Sequence, residues 1–315
     1  MSKIVIALGG NALNLPGERG TFEEQMRNVR ITCEHMVDMI KQGHKIIITH
    51  GNGPQVGNIL LQQEAGKAVA APMPMDVCGA ESQGFIGYML QNTLRNMLDA
   101  AGMKDLCVAT VVTQVLVDAN DPAFQNPTKP VGPFYTKESA ESQRAEKGWT
   151  VVEDAGRGWR RVVPSPIPIG IIEKDAIKAL IAAGCVVIAS GGGGIPVVRE
   201  NGVLKGIEAV IDKDYAGQVL AGDVGADLFM ILTAVDKVCL NFGKPNQQAI
   251  DCMDAKAAKR YVDEGHFKPG SMKPKIIAAI KFLEKSNPEG IVIITTPTLA
   301  GDALKKEAVG TKIVL

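Results

Sequence analysis

What this 315-residue chain lacks narrows its chemistry first. It has no net charge, because 34 basic side chains meet 34 acidic ones. A general nucleic-acid binder needs a broad basic field to displace counterions, so that class is disfavoured. No apolar run approaches the roughly 18–20 residues of a membrane span. The opening run starts at Ile4 and meets Gly9 too soon for a signal peptide. The six cysteines, at positions 33, 78, 107, 185, 239 and 252, are widely spaced and include no C-x-x-C pair. Most fall in apolar runs, which predicts buried, reduced thiols rather than disulfides or zinc ligands, in a cytoplasmic protein. Aromatics are scarce too, at 4%.

What is present is globular. Hydrophobic residues make up 46% and charged ones 22%, enough for a large core and too apolar for disorder. At about 150 residues per domain, the length allows two domains or one α/β domain with an insertion. Short apolar runs recur at 3–8, 45–49, 106–113, 185–190, 228–233 and 290–295, each closed by glycine or polar residues. Segments with helical spacing lie between them, at 21–42, 81–101, 174–183, 254–264 and 274–285. The first has a capping box in Thr21 and Glu24 and a stripe of Met26, Val29, Cys33, Met36, Val37 and Ile40. Strands alternating with helices predict a mainly parallel open sheet between helical layers.

Residues 118–168 break this rhythm. They hold seven of the 17 prolines and both tryptophans, with no clear helical period. Fifty residues are too many for an ordinary loop, and Phe124, Phe134, Tyr135, Trp149 and Trp159 give a small unit something to pack. An ordered excursion from the sheet is expected, serving as a lid.

Three glycine turns follow predicted strands: Gly9-Gly10-Asn11, Gly51-Asn52-Gly53-Pro54 and Gly191-Gly192-Gly193-Gly194. Ligands of open parallel sheets bind beyond the carboxyl ends of strands, where backbone N–H groups and helix N-termini suit phosphate. The common nucleotide signatures are nevertheless missing. In Gly51-Asn-Gly53-Pro-Gln-Val-Gly57 the third glycine falls one position late for the dinucleotide fingerprint, and no acidic residue follows about 20 residues on. Neither Gly66-Lys67 nor Gly243-Lys244 completes a Walker P-loop. Phosphate chemistry here needs other cations. Lys213 beside Asp214, Lys275 at a helix start and Lys129 in a proline-stiffened segment are the candidates. A lysine at a helix start opposes the helix dipole, a conflict that a bound anion removes.

Together these residues resemble the carbamate kinases of the amino-acid kinase superfamily, essentially end to end. The resemblance is carried by Ala7-Leu-Gly-Gly-Asn-Ala12, Thr49-His-Gly-Asn-Gly-Pro-Gln-Val-Gly57, Asn126-Pro-Thr-Lys-Pro-Val-Gly-Pro-Phe-Tyr135 and Gly156-Arg-Gly-Trp-Arg-Arg-Val-Val-Pro-Ser-Pro166. Ser190-Gly-Gly-Gly-Gly-Ile-Pro196, Val210-Ile-Asp-Lys-Asp214, Leu232-Thr-Ala-Val-Asp236 and Pro269-Gly-Ser-Met-Lys-Pro-Lys275 continue it in order.

The resemblance implies a three-layer αβα sandwich with about eight mainly parallel strands. It implies a single amino-acid kinase domain over 1–315, with 118–168 protruding as a lid, and a homodimer. It implies reversible phosphoryl transfer between Mg-ATP and carbamate, giving ADP and carbamoyl phosphate and commonly run toward ATP. By the matching motifs, Lys213 and Lys275 would hold the transferring phosphoryl group and the ATP phosphates, with Asp214 between them. Lys129 would reach the carbamate end. Gly9, Gly10, Asn11, Gly51 and Asn52 would line the phosphoryl and carbamate pocket, and Gly191, Gly192 and Gly193 would face the nucleotide phosphates. Ala234, Val235 and Asp236 would lie beside the nucleoside. Mg2+ would be held mainly by nucleotide phosphates, with Asp118, Asp121 and Asp236 touching it at most through water. Other branches of the superfamily place a lysine at the end of the first strand, whereas Ile6-Ala-Leu-Gly-Gly10 has none. That difference disfavours the alternative of a kinase for another small carboxylate.

Overall fold

In the computed structural model, which describes residues 1–9, 13–15, 17–154, 158–305 and 309–315, strand and helix alternate from the start. β1 (Lys3–Leu8), α1 (Phe22–Lys41) and β2 (Lys45–His50) form a first unit, followed by α2 (Gly53–Gly66) and the long α3 (Met75–Ala100). After β3 (Val108–Thr110) and β4 (Gln114–Val117) come β5 (Lys129–Tyr135), α4 (Lys137–Lys147), β6 (Thr150–Glu153) and β7 (Trp159–Val163). The chain continues through β8 (Pro168–Ile171), α5 (Lys174–Ala182), β9 (Val186–Ile188), β10 (Ile195–Glu200) and β11 (Val203–Gly206). Next come α6 (Lys213–Val224), β12 (Leu228–Leu232), β13 (Cys239–Leu240), β14 (Gln248–Ala249) and β15 (Cys252–Asp254). α7 (Ala255–Asp263), α8 (Met272–Lys281), β16 (Ile291–Thr295), α9 (Ala300–Ala303) and β17 (Thr311–Val314) follow.

The main sheet has eight strands in the order β15-β17-β16-β12-β1-β2-β9-β3. From β16 to β3 every neighbouring pair is parallel; β17 runs antiparallel to β16, and β15 runs parallel to β17. Because side chains alternate along a strand, the central strands feed two separate cores. Ile4, Ile6 and Leu8 join Val29 and Met36 of α1 and Ile86 and Leu90 of α3 on one face. Val5 and Ala7 join Leu220 of α6 and Ile276 and Ala279 of α8 on the other. The expected three layers follow from that alternation. At β1 the chain goes to β2 on one side while β12 lies on the other, which opens a crevice at the carboxyl edge.

Thr21 caps α1 as expected, its side chain accepting from Glu24 N while the Glu24 carboxylate accepts from Thr21 N. Other expectations need correction. The run 106–113 is not one strand: β3 stays in the main sheet, and the chain then turns at Thr113 into a four-stranded sheet, β11-β10-β4-β8. α3 starts at Met75, six residues ahead of the expected boundary. The helix expected over 274–285 is α8, followed by a π-helical turn at Phe282–Ser286. α2, α4 and α6 carry no stripe that betrays them. α6 is buried along most of its length and rich in alanine and glycine, whereas α4 buries only Ala140. The cysteines also depart from expectation: only Cys33 and Cys78 are buried, and Cys107 and Cys252 are exposed.

Within 118–168, the strands form an antiparallel sheet β5-β7-β6 backed by α4. The cations of Lys147 and Arg161 lie over the Trp149 ring, 4.6 and 4.4 Å from its centre. A Lys147–Glu64 ion pair (2.6 Å) ties this sheet's helix to α2. Among the described residues no helix is long and apolar enough to cross a membrane.

Candidate active site

Gly9 at the end of β1, Gly51 after β2 and Gly191–Gly194 after β9 lie at the carboxyl ends of neighbouring strands of the main sheet. Gly9 donates its N–H to Leu232 O at 3.0 Å, and a Cβ there would sit 2.8 Å from the same oxygen. Gly51 N donates to Leu8 O, so Gly51 stands beside the end of β1. The Asn52 side-chain amide donates to Ser82 Oγ at 2.8 Å.

The turn after β9 is held by side chains from several elements. Thr49 Oγ1 donates to Ser190 O (2.9 Å), Ser190 N donates to Thr113 Oγ1 (2.9 Å), and Gln83 Nε2 donates to Gly191 O (3.1 Å). Ser190 sits in the left-handed region at φ 56°. Gly191 packs on the His50 ring, Gly192 on the Asn52 amide and Gly193 on the Ile211 carbonyl, each too close to admit a Cβ. Gly192 and Gly193 also have φ of 69° and 95°, where side chains are strained. Glycine is therefore demanded by both contact and conformation.

The cations meet at two helix starts. Asp212 caps α6, accepting from Asp214 N at 3.0 Å, and Lys213 is the first helical residue. Lys213 Nζ donates to Asp214 Oδ1 at 2.7 Å, and Lys275 Nζ, in the first turn of α8, donates to Asp214 Oδ2 at 2.8 Å. Lys129, first residue of β5, donates to Asp212 Oδ2 at 2.9 Å. Three ammonium groups against two carboxylates leave one positive charge, reinforced by the positive ends of two helices.

Burial penalises the Asp214 carboxylate, but Lys213 and Lys275 outweigh it and hold its pKa down to about 2. Burial likewise pulls the Lys213 pKa down; Asp214 partly restores it and Lys275 lowers it further. His50 is driven down to about 4, by burial first and by Lys213, against the raising effect of its bond to Gly51 O (2.9 Å). Its imidazole is thus neutral at pH 7, a structural donor in the turn rather than an acid.

A cavity of about 210 Å³ opens here, lined by Gly51, Asn52, Lys129, Gly192, Lys213, Asp214 and Lys275 among others. Gly191 and Gly193 flank Gly192 in the turn. Gly9 instead lines a neighbouring, more apolar cavity of about 380 Å³ together with Ala234. Val235 and Asp236 line neither cavity, and Asp236 accepts a bond from Thr296 Oγ1 at 3.2 Å. Gly10 and Asn11 lie outside the described residues. Asp118 and Asp121 are occupied elsewhere, accepting from Asn120 N and from Ala123 N and Ile167 N. Among the described residues no group of three His, Cys, Asp or Glu side chains is placed to hold a metal.

Asp212, Gln83 and Thr113 escaped the sequence reading. An aspartate two residues before Asp214 is a recognisable cap signal. Gln83 and Thr113 had none, since they act on a turn over 75 residues away in the chain.

An open parallel sheet with these turns and lysines at one edge defines an α/β enzyme suited to a phosphorylated anion. Residues 2–294 match the amino acid kinase family. The chain is 54% identical over 317 residues to a carbamate kinase of Thermococcus kodakarensis, covering 100% of this chain and 99% of that one. It is 51% identical over 315 residues to a carbamate kinase of Clostridium perfringens, with 99% of each covered. Among solved structures, a carbamate kinase from Giardia lamblia bound to AMP-PNP superposes with a TM-score of 0.93 at 45% identity, covering 99% of this chain and 98% of that one. The chain belongs to the amino acid kinase family and, within it, to the carbamate kinases.

Proposed function

We propose that the chain catalyses reversible phosphoryl transfer between ATP and carbamate, giving ADP and carbamoyl phosphate. The observation that carries this reading is the 54% identity to a carbamate kinase over the whole chain. In the forward step a carbamate oxygen attacks the γ-phosphorus, that O–P bond forms, and the bond to the β-phosphate oxygen breaks with its electron pair leaving on ADP. Carbamate is already an anion at neutral pH, so no general base is needed.

In this proposal Lys213 and Lys275 neutralise the transferring phosphoryl group, while Asp214 holds both ammonium groups in place and offsets their repulsion. Lys129, carried by β5, serves the carbamate end. Gly51 and Asn52 line the acceptor pocket, with Gly9, Gly10 and Asn11 assigned there by motif. Gly191 to Gly193 face the nucleotide phosphates, and Ala234, Val235 and Asp236 flank the nucleoside. Mg2+ would be held mainly by the nucleotide phosphates, whose charge it would lower. The carboxylates of Asp212 and Asp214 fit that arrangement, since their oxygens are already engaged by lysines and the α6 cap.

We read the chain as one kinase domain in which 118–168 protrudes as a lid, working in the cytoplasm and mainly toward ATP, as expected of a mixed anhydride that readily gives up its phosphoryl group. A homodimer is part of the reading, and Val77, Phe85 and Tyr88 on α3 are exposed apolar side chains that an interface could cover. Light scattering checks it, expecting twice the chain mass. Incubation with carbamoyl phosphate, ADP and Mg2+ in a coupled assay tests the activity; no ATP at millimolar substrate sinks it.

A further inference from the structure

Away from the lysine cluster, two cysteines stand side by side at the opposite end of the sheet. Cys107 immediately precedes β3 and Cys185 immediately precedes β9, adjacent parallel strands whose register pairs Val108 with Val186. Val186 N donates to Cys107 O at 2.8 Å, so the ladder extends back to the cysteines. Register partners on neighbouring strands project to the same face, with backbones about 4.8 Å apart. A disulfide accepts Cα separations of about 4.4–6.8 Å. Both thiols are free; Cys107 is exposed and Cys185 partly so. Burial raises the Cys185 pKa, and the neighbouring Cys107 thiol adds to that shift.

We propose that Cys107 and Cys185 are a reversible dithiol–disulfide pair, a modification site for low-molecular-weight disulfides such as oxidised glutathione. The more accessible Cys107 thiolate attacks one sulfur of the reagent, whose S–S bond breaks and releases a first thiolate. The Cys185 thiolate then attacks Cys107 Sγ, closes the protein disulfide and releases the second. Two protein thiols are oxidised, one external disulfide is reduced to two thiols, and the two protein protons pass to the departing thiolates.

The bond closes the loop 107–185, which contains the whole of 118–168, at its base. The strands already lie at bonding distance, so the sheet need not move; the constraint falls mainly on the unfolded chain. Oxidation therefore raises the melting temperature by several degrees and leaves turnover unchanged.

The experiment treats the native protein with oxidised glutathione and maps its peptides by mass spectrometry without reduction. The expected result is a Cys107–Cys185 linked peptide, reversed by dithiothreitol, with a melting-temperature rise that Cys107→Ser abolishes while keeping wild-type turnover. Cys185→Ser should instead trap glutathione on Cys107. The proposal is overturned if glutathione persists on Cys107 of the wild type. It is equally overturned if the only bonds formed use Cys239, Cys252 or a second chain, or if Cys107→Ser shows the same thermal shift.

Discussion

Asp214 shows how one residue organises a cationic site inside a neutral protein. It is 3% exposed, and each of its oxygens accepts from a different lysine. In the proposed mechanism the lysines supply positioned charge in a water-poor site, where one such group typically contributes two to three orders of magnitude in rate. Lys213→Ala and Lys275→Ala should therefore each lower turnover by roughly 10²–10³ in the coupled assay. Wild-type rates in either variant would remove that residue from the site. His50 gives a second prediction, in stability. Its pKa drops from 6.5 to about 4 on folding, so between those values the unfolded chain binds a proton that the folded one does not. Stability from this residue is full above about pH 6.5 and falls as pH drops toward 4, by up to about 1.4 kcal/mol per pH unit. Urea unfolding across that range should show a slope shallower by one proton in His50→Gln. An unchanged slope would contradict the assignment.

At the scale of elements, the Ser190–Gly194 turn links three parts of the site. It rests on His50 and Asn52 at the end of β2, on Gln83 of α3 and on Ile211 just before α6. Gly193 faces a backbone carbonyl, so a Cβ there cannot be relieved by rotating a side chain, and its φ of 95° adds strain. Gly193→Ala should cost about 2 kcal/mol or more, read from denaturant unfolding. It should also slow turnover, because the turn and the α6 start would have to part. A variant of wild-type stability and rate would show that the turn has slack. The elements also show where sequence reading reaches. α1 was legible because it has one buried stripe and a capping box, both local signals. α6, which carries Lys213 and Asp214, was not, because burial along most of its length leaves no stripe to detect. The run 106–113 was legible as strand but not as two strands, since the bonds that turn it at Thr113 involve distant residues: Thr113 N donates to Gln83 Oε1, and Thr113 Oγ1 accepts from Ser190 N.

For the whole molecule, the proposed lid role of the three-stranded sheet β5-β7-β6 turns on its contacts with the body. It lines the site cavity with Lys129, Pro130 and Val131, and Lys129 pairs with Asp212 of the body. A Lys147–Glu64 pair and an Arg161–Glu208 pair also bridge the two, and both are partly exposed, where ion pairs are weak. If the segment closes over substrate as proposed, amide exchange across 129–163 should slow when carbamoyl phosphate and ADP are added together. Exchange indifferent to both ligands would rule out the lid.

The sequence by itself determined the α/β class, most of the central strands and the glycine turns after β2 and β9, because alternation, capping and turn chemistry are written in neighbouring residues. It also singled out Lys213, Asp214, Lys275 and Lys129. Only the tertiary structure decided that two of these lysines share one carboxylate, that the third meets Asp212, and that four glycines are needed because His50, Asn52, Val115 and Ile211 crowd them. Those contacts join residues far apart in the chain, and chain proximity carries no information about them. The zero net charge with which the sequence begins thus acquires a location: balance overall, and one concentrated positive spot where two helices start.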